Sequence, residues 1–328
     1  MNNNKETWQI ALSQAVTDLS TLCNLLNIQI QDIESIQLAE KSFALRVPLE
    51  FIARMEKGNP RDPLLLQILP QAIEMLPMQY FSEDPLNEKN TNPISGLLHK
   101  YFGRVLLTLT GGCAVNCRYC FRRHFNYADN TPSRAHWKNT LKYIEHDQTI
   151  EEVILSGGDP LLLQDDLISE FVLALEKIPH LTRLRIHTRL PVVIPVRVTK
   201  KWVAWMKNSR FDIAIVLHIN HPNEINAELT QALKYLKSAN IILLNQSVLL
   251  KNINNSENIL IELSKKLFHA GVLPYYLHLL DKVNGAAHFD VSETEAEQLM
   301  INIKSKLPGY LVPKLAREIA GLPNKKFS

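Results

Sequence analysis

Apolar residues fall into six runs from about residue 103 onward, and helical segments separate these runs. Each run is almost continuously apolar and rich in β-branched residues, which is typical of strands buried on both faces of a parallel sheet. The intervening segments have apolar residues three and four positions apart, which indicates amphipathic helices. The pattern therefore predicts six strand–helix units in succession. The runs are GRVLLTLT, EEVILS, LTRLRIHT, FDIAIVLHI, IILLNQSVLL and GVLPYYLHL.

The region before the first run has a different pattern. Apolar residues recur at helical spacing from about residue 6 to residue 78, in WQIALSQAVTDLSTLCNLL, EFIARM and LLLQILPQAIEML. Residues 82–97 are polar and contain prolines, which indicates a boundary. We therefore expect a helical N-terminal region, a linker, and then the strand–helix units.

The succession of units predicts an α/β fold with a parallel sheet and outer helices. An open doubly wound sheet and a TIM-like barrel both fit, and six units rather than eight favour a partial (β/α)6 TIM-like barrel. Polar groups follow the C-terminal end of every run, which is where both folds bind ligands. We expect them to form one shared site. They are three cysteines, Ser156 to Asp159, His187 to Arg189, His218 to His221, Asn245 with Gln246, and His278 with Asp281.

Composition places the chain among packed globular proteins. Of its 328 residues, 46% are hydrophobic and 21% are charged, which excludes a disordered or fibrous protein. The formal net charge of +3 is too small to favour binding to nucleic acid or to an anionic membrane. The first residues lack the apolar core of a signal peptide, and no run of about 18 apolar residues occurs. We therefore expect a cytoplasmic protein, whose thiols are kept reduced.

Three of the four cysteines stand close together, in the order Cys113, Cys117 and Cys120, with the spacing C-x3-C-x2-C. Cys23 stands alone in an apolar stretch, and we expect it to be a core residue. Reduced thiols this close indicate a metal site rather than a disulfide framework. Three thiolates can bind three irons of a 4Fe–4S cluster and leave the fourth iron open to a chelating small molecule. A structural zinc site would need a fourth ligand, for which His124 is nearest.

The cysteine motif resembles that of the radical S-adenosylmethionine superfamily, and Tyr119 before the third cysteine fits this resemblance. The segment from Ser156 to Pro160 resembles the superfamily's glycine-rich segment near the amino group of S-adenosylmethionine (SAM). Without the resemblance, it is an ordinary turn whose glycines allow close backbone approach. The resemblance implies that the methionyl amine and carboxylate of SAM chelate the open iron. It also implies that an electron from the cluster cleaves SAM to a 5′-deoxyadenosyl radical.

Further segments resemble the lysine 2,3-aminomutase family over about residues 95–328, namely CRYCFRRHF, SGGDPLLL, HINHPNEI, NQSVLL, PYYLHLLD and VPKLARE. The likeness is closest to the short members that make β-lysine for the modification of elongation factor P. It implies an isomerase that moves the α-amine of lysine to the β-carbon, with pyridoxal 5′-phosphate (PLP) as a further cofactor. The implied domains are a helical region with linker (1–95), a radical SAM partial barrel (96–306) and a C-terminal segment with the PLP lysine (307–328).

The resemblance also implies which residues bind the cofactors. Lys325 is the residue that would hold the PLP aldehyde as a Schiff base, with Lys326 as the alternative and a soluble tail as the non-functional interpretation. Lys100 and Arg104, which flank the first strand, correspond to phosphate-binding cations, although Lys100 replaces an arginine. The residues that correspond to SAM contacts are Ser156, Gly157, Gly158, Asp159, His218 and Gln246.

A bound lysine would present one carboxylate and two ammonium groups. Arg122 corresponds to the residue that binds the α-carboxylate, for which a guanidinium offers two parallel hydrogen bonds. Asp281 and Glu318 correspond to the acidic pair that binds the distal ammonium, and surface carboxylates are the non-functional alternative. Glu318 stands where the family's free-lysine enzymes have aspartate. Arg189 could bind a carboxylate or a phosphate.

Two other classes of function stay open. One is a related radical enzyme that lacks PLP or acts on glutamate or arginine, and the other is a non-catalytic iron–sulfur protein. An electron carrier needs a fully ligated cluster. A glutamate enzyme would need a cation where Asp281 and Glu318 offer two acids. The aminomutase interpretation implies lysine as small-molecule substrate, a cellular electron donor and the elongation factor P modification pathway as partners, and it leaves the oligomeric state open.

Overall fold

The computed structural model describes residues 6–29, 33–130 and 137–328, and within these ranges nine strands form one sheet. Strands β2 to β8 are parallel and lie in chain order, whereas β1 and β9 run antiparallel at the two edges. In these ranges β1 and β9 are not neighbours, so the sheet is an open, partial barrel. The predicted α/β fold with a partial TIM-like barrel is confirmed. The strands are β1 (Leu97–Tyr101), β2 (Arg104–Thr110), β3 (Glu152–Gly157), β4 (Arg183–Thr188), β5 (Asp212–Leu217), β6 (Ile242–Val248), β7 (Leu273–His278), β8 (Lys314–Arg317) and β9 (Lys326–Phe327).

Helices connect each parallel strand to the next one. A representative is α10, in which the Asn226 side chain accepts a hydrogen bond from the backbone N–H of Leu229 at the N-terminus, while Leu229, Leu233 and Leu236 form a buried stripe. None of the described helices is long and apolar enough to cross a lipid bilayer. The helices are α1 (Thr7–Ser13), α2 (Leu19–Leu26), α3 (Ile33–Ser42), α4 (Leu49–Ile52), α5 (Tyr127–Asn130), α6 (Trp137–His146), α7 (Asp165–Leu175), α8 (Leu190–Val193), α9 (Lys200–Asn208), α10 (Ala227–Ser238), α11 (Glu257–His269) and α12 (Glu293–Lys304).

The six predicted strands correspond to β2 through β7, and the sheet extends beyond them on both sides. Strand β8 is a seventh parallel strand, and β1 and β9 form the antiparallel edges. β8 has four residues and β9 has two, which is too short for a recognisable apolar run or alternation. The sequence pattern therefore missed these strands.

The prediction of helix throughout residues 6–78 is wrong after α4, which ends at Ile52. Residues 63–68 form turns although most of them are apolar, and a 3-10 helix at Ala72–Met75 follows. The Asp62 side chain accepts hydrogen bonds from the backbone N–H groups of Leu64 and Leu65 at 2.8 and 2.9 Å, which stabilises the turn. Because Leu64 and Leu65 are completely buried, the apolar spacing here reflects burial rather than a helix.

The N-terminal region packs directly on the barrel. One cluster of buried apolar side chains extends from Trp8 to Val272 and includes residues of both parts. The cysteine loop is attached to the same region, because the buried Arg118 guanidinium pairs with Glu74 and donates to the carbonyl oxygen of Ala39 at 3.1 Å. Cys23 is half-buried and packs against this cluster, so it lies beside the core rather than inside it.

The loop after β2 and the end of β3 are in backbone-to-backbone contact. Gly158 N donates to the carbonyl oxygen of Thr110 at 2.6 Å, and Asp159 N donates to that of Gly112 at 2.7 Å. A Cβ atom on Gly158 would lie 2.0 Å from the Gly112 oxygen. Gly157 has a φ of +120°, and its Cβ would lie 2.5 Å from the Thr110 oxygen. The two glycines therefore allow the cysteine loop to reach β3.

We expect Gly158→Ala to destabilise the fold by about 1–3 kcal/mol, because its new methyl group meets backbone that cannot move aside. The measurement is the thermal unfolding midpoint. Gly309→Ala is the matched control, because no atom lies within 4 Å of an added Cβ there. Equal unfolding midpoints for the two variants would contradict the role of this contact.

Candidate active site

A cavity of about 470 Å³ opens at the C-terminal ends of the parallel strands. Its volume lies in the range of small-molecule sites. Every residue that the resemblance assigned to a cofactor or to the substrate lines it, whereas the alternative Lys326 is exposed and pairs with Glu293 at 3.0 Å. The lining residues from that prediction are Lys100, Arg104, Cys113, Cys117, Cys120, Arg122, Ser156, Gly157, Gly158, Asp159, His218, Gln246, Asp281, Glu318 and Lys325.

The three cysteines of the loop after β2 lie close enough to affect one another's ionisation. Burial and the neighbouring Cys120 raise the pKa of Cys113 well above its usual value, and burial and Cys117 raise the pKa of Cys120 to about 11. In the described ranges, no three His, Cys, Asp or Glu side chains are grouped tightly enough to hold a single metal ion. A cube of four irons holds its ligands further apart than one ion does. His124, the nearest candidate for a fourth zinc ligand, has its Nε2 atom 3.3 Å from the carbonyl oxygen of Asn284.

The glycine-rich segment after β3 is joined to the end of β4 through Asp159. Its buried carboxylate accepts hydrogen bonds from Thr188 Oγ1 at 2.7 Å and from the backbone N–H groups of Arg189 and Leu190 at 2.8 and 2.9 Å. The carboxylate is thus engaged within the protein. Ser156 and the two glycines beside it also line the cavity.

Neutral histidines line the cavity between β4 and β6. Gln246 Nε2 lies 2.7 Å from His218 Nε2, and because an amide nitrogen only donates, the histidine nitrogen accepts. Burial and the nearby Arg189 lower the pKa of His218 to about 3, which keeps the ring neutral. His187 Nε2 and Arg189 Nε are buried and have no hydrogen-bond partner among the described residues. A polar ligand in the cavity would satisfy such groups.

Five charged side chains alternate in sign across the cavity. Arg122 donates to both carboxylate oxygens of Glu88 at 2.7 and 2.9 Å, and Lys100 Nζ lies 3.1 Å from Glu88. Lys100 also pairs with Glu318 at 3.0 Å, and Glu318 pairs with Lys325. The side chains are 4–23% exposed, so water screens these charges weakly. A carboxylate or ammonium group of a ligand would therefore take the place of one partner in an existing ion pair.

The two acids assigned to the distal ammonium differ in ionisation. Burial, assisted by the charge of Glu318, raises the pKa of Asp281 to about 7. Burial alone would raise the pKa of Glu318 as well, but Lys325 and Lys100 lower it to about 2. At neutral pH Glu318 is ionised, and Asp281 is close to the midpoint of its titration.

Arg104 differs from the other cations of the cavity. Its guanidinium lies over the Tyr101 ring at 4.7 Å, and among the described residues it has no hydrogen-bond or ion-pair partner. Lys100, by contrast, is already paired with two acids. Arg104 is thus a cation that faces the cavity and is available to an anion.

The structure adds two residues that sequence reasoning missed. Glu88 comes from the polar segment 82–97, whose pattern indicates only a boundary. Three acids occur there, and the sequence gives no signal that this one is buried. Phe327 stacks on the cavity-lining Tyr276 with ring centroids 5.6 Å apart. In the antiparallel pairing of β9 with β8, the backbone of Lys326 lies opposite that of Arg317. The C-terminal residues are therefore held against the sheet, with Lys325 facing the cavity.

Comparison with known proteins identifies the family. A family model described as the radical SAM superfamily matches residues 107–263. The L-lysine 2,3-aminomutase of Haemophilus influenzae is 51% identical over 98% of this chain and 95% of its own length. That of Escherichia coli is 50% identical over 98% of this chain and 94% of its own length. Streptococcus suis SuiB bound to S-adenosylmethionine has a TM-score of 0.49 and 18% identity over 70% of this chain and 52% of its own.

The two relatives are alike in length to this chain, and about half of the aligned residues are identical in each. The matched family model spans the cysteine loop and strands β3 to β6. This protein is therefore a member of the lysine 2,3-aminomutase family within the radical SAM superfamily, and it is an isomerase of the aminomutase type.

Proposed function

We propose that this protein converts L-α-lysine to β-lysine in the cavity at the C-terminal ends of the strands. The observation that carries the proposal is the arrangement of charge around one cavity, with Arg122 suited to a carboxylate, and Asp281 and Glu318 suited to an ammonium. Three cysteines line the same cavity. A lysine substrate presents the charges that these groups complement. Two acids would repel the side chain of glutamate.

Family membership implies a 4Fe–4S cluster, SAM and PLP as cofactors. When bound, the cluster and SAM supply a carbon radical that removes a hydrogen atom, and PLP supplies a conjugated carbonyl that carries the migrating amine. Cys113, Cys117 and Cys120 would hold the cluster, since their thiols are the only cysteine sulfurs that line the cavity in the described ranges. The unpartnered His187 Nε2 supports a polar ligand such as SAM beside His218 and Gln246.

Three cations at the cavity would bind PLP. Lys325 has its amine at the cavity and would hold the aldehyde carbon. The guanidinium of Arg104 is available to the phosphate, and Lys100 would join it by exchanging one of its two acid partners. Glu318 ties Lys325 to Lys100, so it positions both cations relative to each other.

The substrate residues bind and orient lysine. Arg122 is fixed along one edge by Glu88, so its Nη1 side, which faces Ser156 and Gly157, is the edge that would take the α-carboxylate. Asp281 and Glu318 would then bind the distal ammonium, and both are removed from bulk water. Holding the substrate at both ends fixes its α- and β-carbons in place.

We further propose that the product serves the modification of elongation factor P, and that a cellular electron donor reduces the cluster. Support comes from the resemblance of segments such as CRYCFRRHF and VPKLARE to the short family members. If purified elongation factor P is never labelled by β-lysine made in cells that express this protein, that pathway role is wrong.

We expect the anaerobically reconstituted protein, supplied with SAM, PLP and dithionite, to form β-lysine from lysine, as measured by chromatography with mass detection. Cys117→Ala should abolish activity and iron retention together, because a cluster held by two thiolates is labile. Cys23→Ala is the control and should keep both, since Cys23 lies outside the cavity. Failure to form β-lysine from lysine would defeat the proposal, and a β-amino acid formed only from glutamate or arginine would favour the related radical enzyme instead.

We expect Lys325→Ala to purify without bound PLP and without the visible absorbance of the protein-bound cofactor. Its neighbour offers a matched control, because Lys326 is exposed and pairs with Glu293 outside the cavity. Lys326→Ala should retain PLP at the native content per chain. Retention of PLP by Lys325→Ala, or its loss from Lys326→Ala alone, would show that Lys325 is not the lysine that binds PLP.

The KM for lysine should fall as pH rises through about 7, the pKa of Asp281. The substrate ammonium stays charged in this range and binds the ionised acid, so KM should rise roughly tenfold per pH unit below that pKa. Asp281→Asn should raise KM and remove this pH dependence, whereas Asp290→Asn, outside the cavity, should preserve it. A native KM that is flat across this range would rule out the role.

A further inference from the structure

Arg189 lies at the end of β4 with only 5% of its surface exposed. Its backbone N–H donates to the carboxylate of Asp159 at 2.8 Å, which fixes the residue relative to the glycine-rich segment. Its guanidinium lies over the Phe51 ring at 5.3 Å. The side chain therefore extends from the sheet towards the cysteine loop and the N-terminal region.

The guanidinium of Arg189 contacts a cysteine. Nη1 lies 2.7 Å from Sγ of Cys117 and 2.6 Å from the hydroxyl oxygen of Tyr119. Nη2 donates to Gln67 Oε1 at 2.7 Å and to Glu224 Oε2 at 2.9 Å. Both terminal nitrogens are therefore engaged by the protein. This arrangement differs from the expected role of binding a ligand carboxylate or phosphate, for which only Nε stays available.

The partner acid is itself held in place. Glu224 is completely buried, and its second oxygen accepts hydrogen bonds from the backbone N–H groups of Asn220 and His221 at 2.9 and 3.0 Å. Burial alone would lower the pKa of Arg189, but Cys117, Tyr119 and Glu224 raise it well above its usual value. Arg189 thus presents a permanent charge in a fixed orientation.

We propose that Arg189 is a positioning residue that donates a charge-assisted hydrogen bond to the Cys117 thiolate and thereby raises the reduction potential of the cluster. The inference rests on the proposed function, in that it needs the cluster on these cysteines. Hydrogen bonds to cluster sulfurs are among the features that set the potential. The reduced cluster carries one more negative charge, so a cation at the sulfur stabilises it more than the oxidised form.

The electron in this step comes from outside the protein. One electron passes from a one-electron reductant, dithionite in the test, to the oxidised cluster, and no protein group is oxidised. Arg189 keeps its proton and transfers no electron. Its effect is on the equilibrium between the two cluster states, and through it on how readily a weak donor can reduce the protein.

The first test is a redox titration of the reconstituted protein without SAM, followed by the electron paramagnetic resonance signal of the reduced cluster. At a fixed potential, Arg189→Gln should have a reduced-to-oxidised ratio about tenfold lower than the native protein, which equals about 59 mV for one electron. Arg189→Lys, which keeps the charge, should shift less. Iron and sulfide per chain are measured alongside, so the ratio refers to protein that holds a cluster.

A buried arginine elsewhere provides the control. Arg197 is completely buried and pairs with Asp165, away from the cavity. Arg197→Gln should lower thermal stability, as the loss of a buried charge does, and leave the potential at the native value. If Arg189→Gln holds a full cluster with an unchanged potential, the inference is overturned, while lysine turnover by the native protein would leave the proposed function standing.

A second measurement uses the native protein and so does not depend on a variant that folds. Protein grown with arginine labelled with a heavy nitrogen isotope only at its guanidinium nitrogens should give a hyperfine coupling between such a nitrogen and the reduced cluster in pulsed paramagnetic resonance. The backbone nitrogens stay unlabelled because the backbone N–H of Arg122 also donates to Cys120. In the described residues, Arg189 is the arginine whose side-chain hydrogen bond reaches a cysteine sulfur. The absence of any coupling overturns the inference even if both variants lose iron, whereas a cluster-free native protein would instead defeat the proposed function.

Discussion

The contact between the cysteine loop and the end of β3 is the constraint on which the rest of the site depends. Two backbone hydrogen bonds, from Gly158 to Thr110 and from Asp159 to Gly112, bring two chain segments closer than any side chain would permit. Three thiols are thereby placed next to the ends of β3 and β4. Asp159 extends the same contact to β4, and through Arg189 it reaches Cys117.

Five charged side chains of the cavity are already paired with one another within the protein. From Arg122 to Lys325, each cation has a carboxylate neighbour and each carboxylate has a cation on either side. Buried ion pairs of this kind are costly to break but inexpensive to exchange, because an incoming charge replaces the lost partner. The cavity therefore discriminates by charge pattern. A ligand with the wrong sign at either end leaves a buried ion without a partner.

The sequence was sufficient for the parts of the molecule that have local signals. Continuous apolar runs identified β2 to β7, and the C-terminal ends of those runs identified the edge at which the cavity lies. Spacing alone singled out the cysteines. Strands β8 and β9 escaped because four and two residues carry no periodicity, and their pairing depends on distant partners.

Other features could not be predicted because they are tertiary. Residues 64–69 have the apolar spacing of a helix, yet the turn begun by Asp62 buries them in another conformation. Glu88 and Gln67 gain their roles only from side chains far away in the chain. The roles of the individual site residues rested on family resemblance, since a polar residue at a strand end can equally be a structural one, as the carboxylate of Asp159 illustrates.

The surroundings of Cys117 also have a consequence for the order of assembly. Gln67, Arg189 and Glu224 belong to segments separated by tens of residues. Only in the folded chain do Gln67 and Glu224 hold the Arg189 guanidinium against this sulfur. Iron that arrives on a nascent, unfolded polypeptide would encounter three bare thiols without this cage. Arg189 would therefore act on a cluster only after the chain has folded around it.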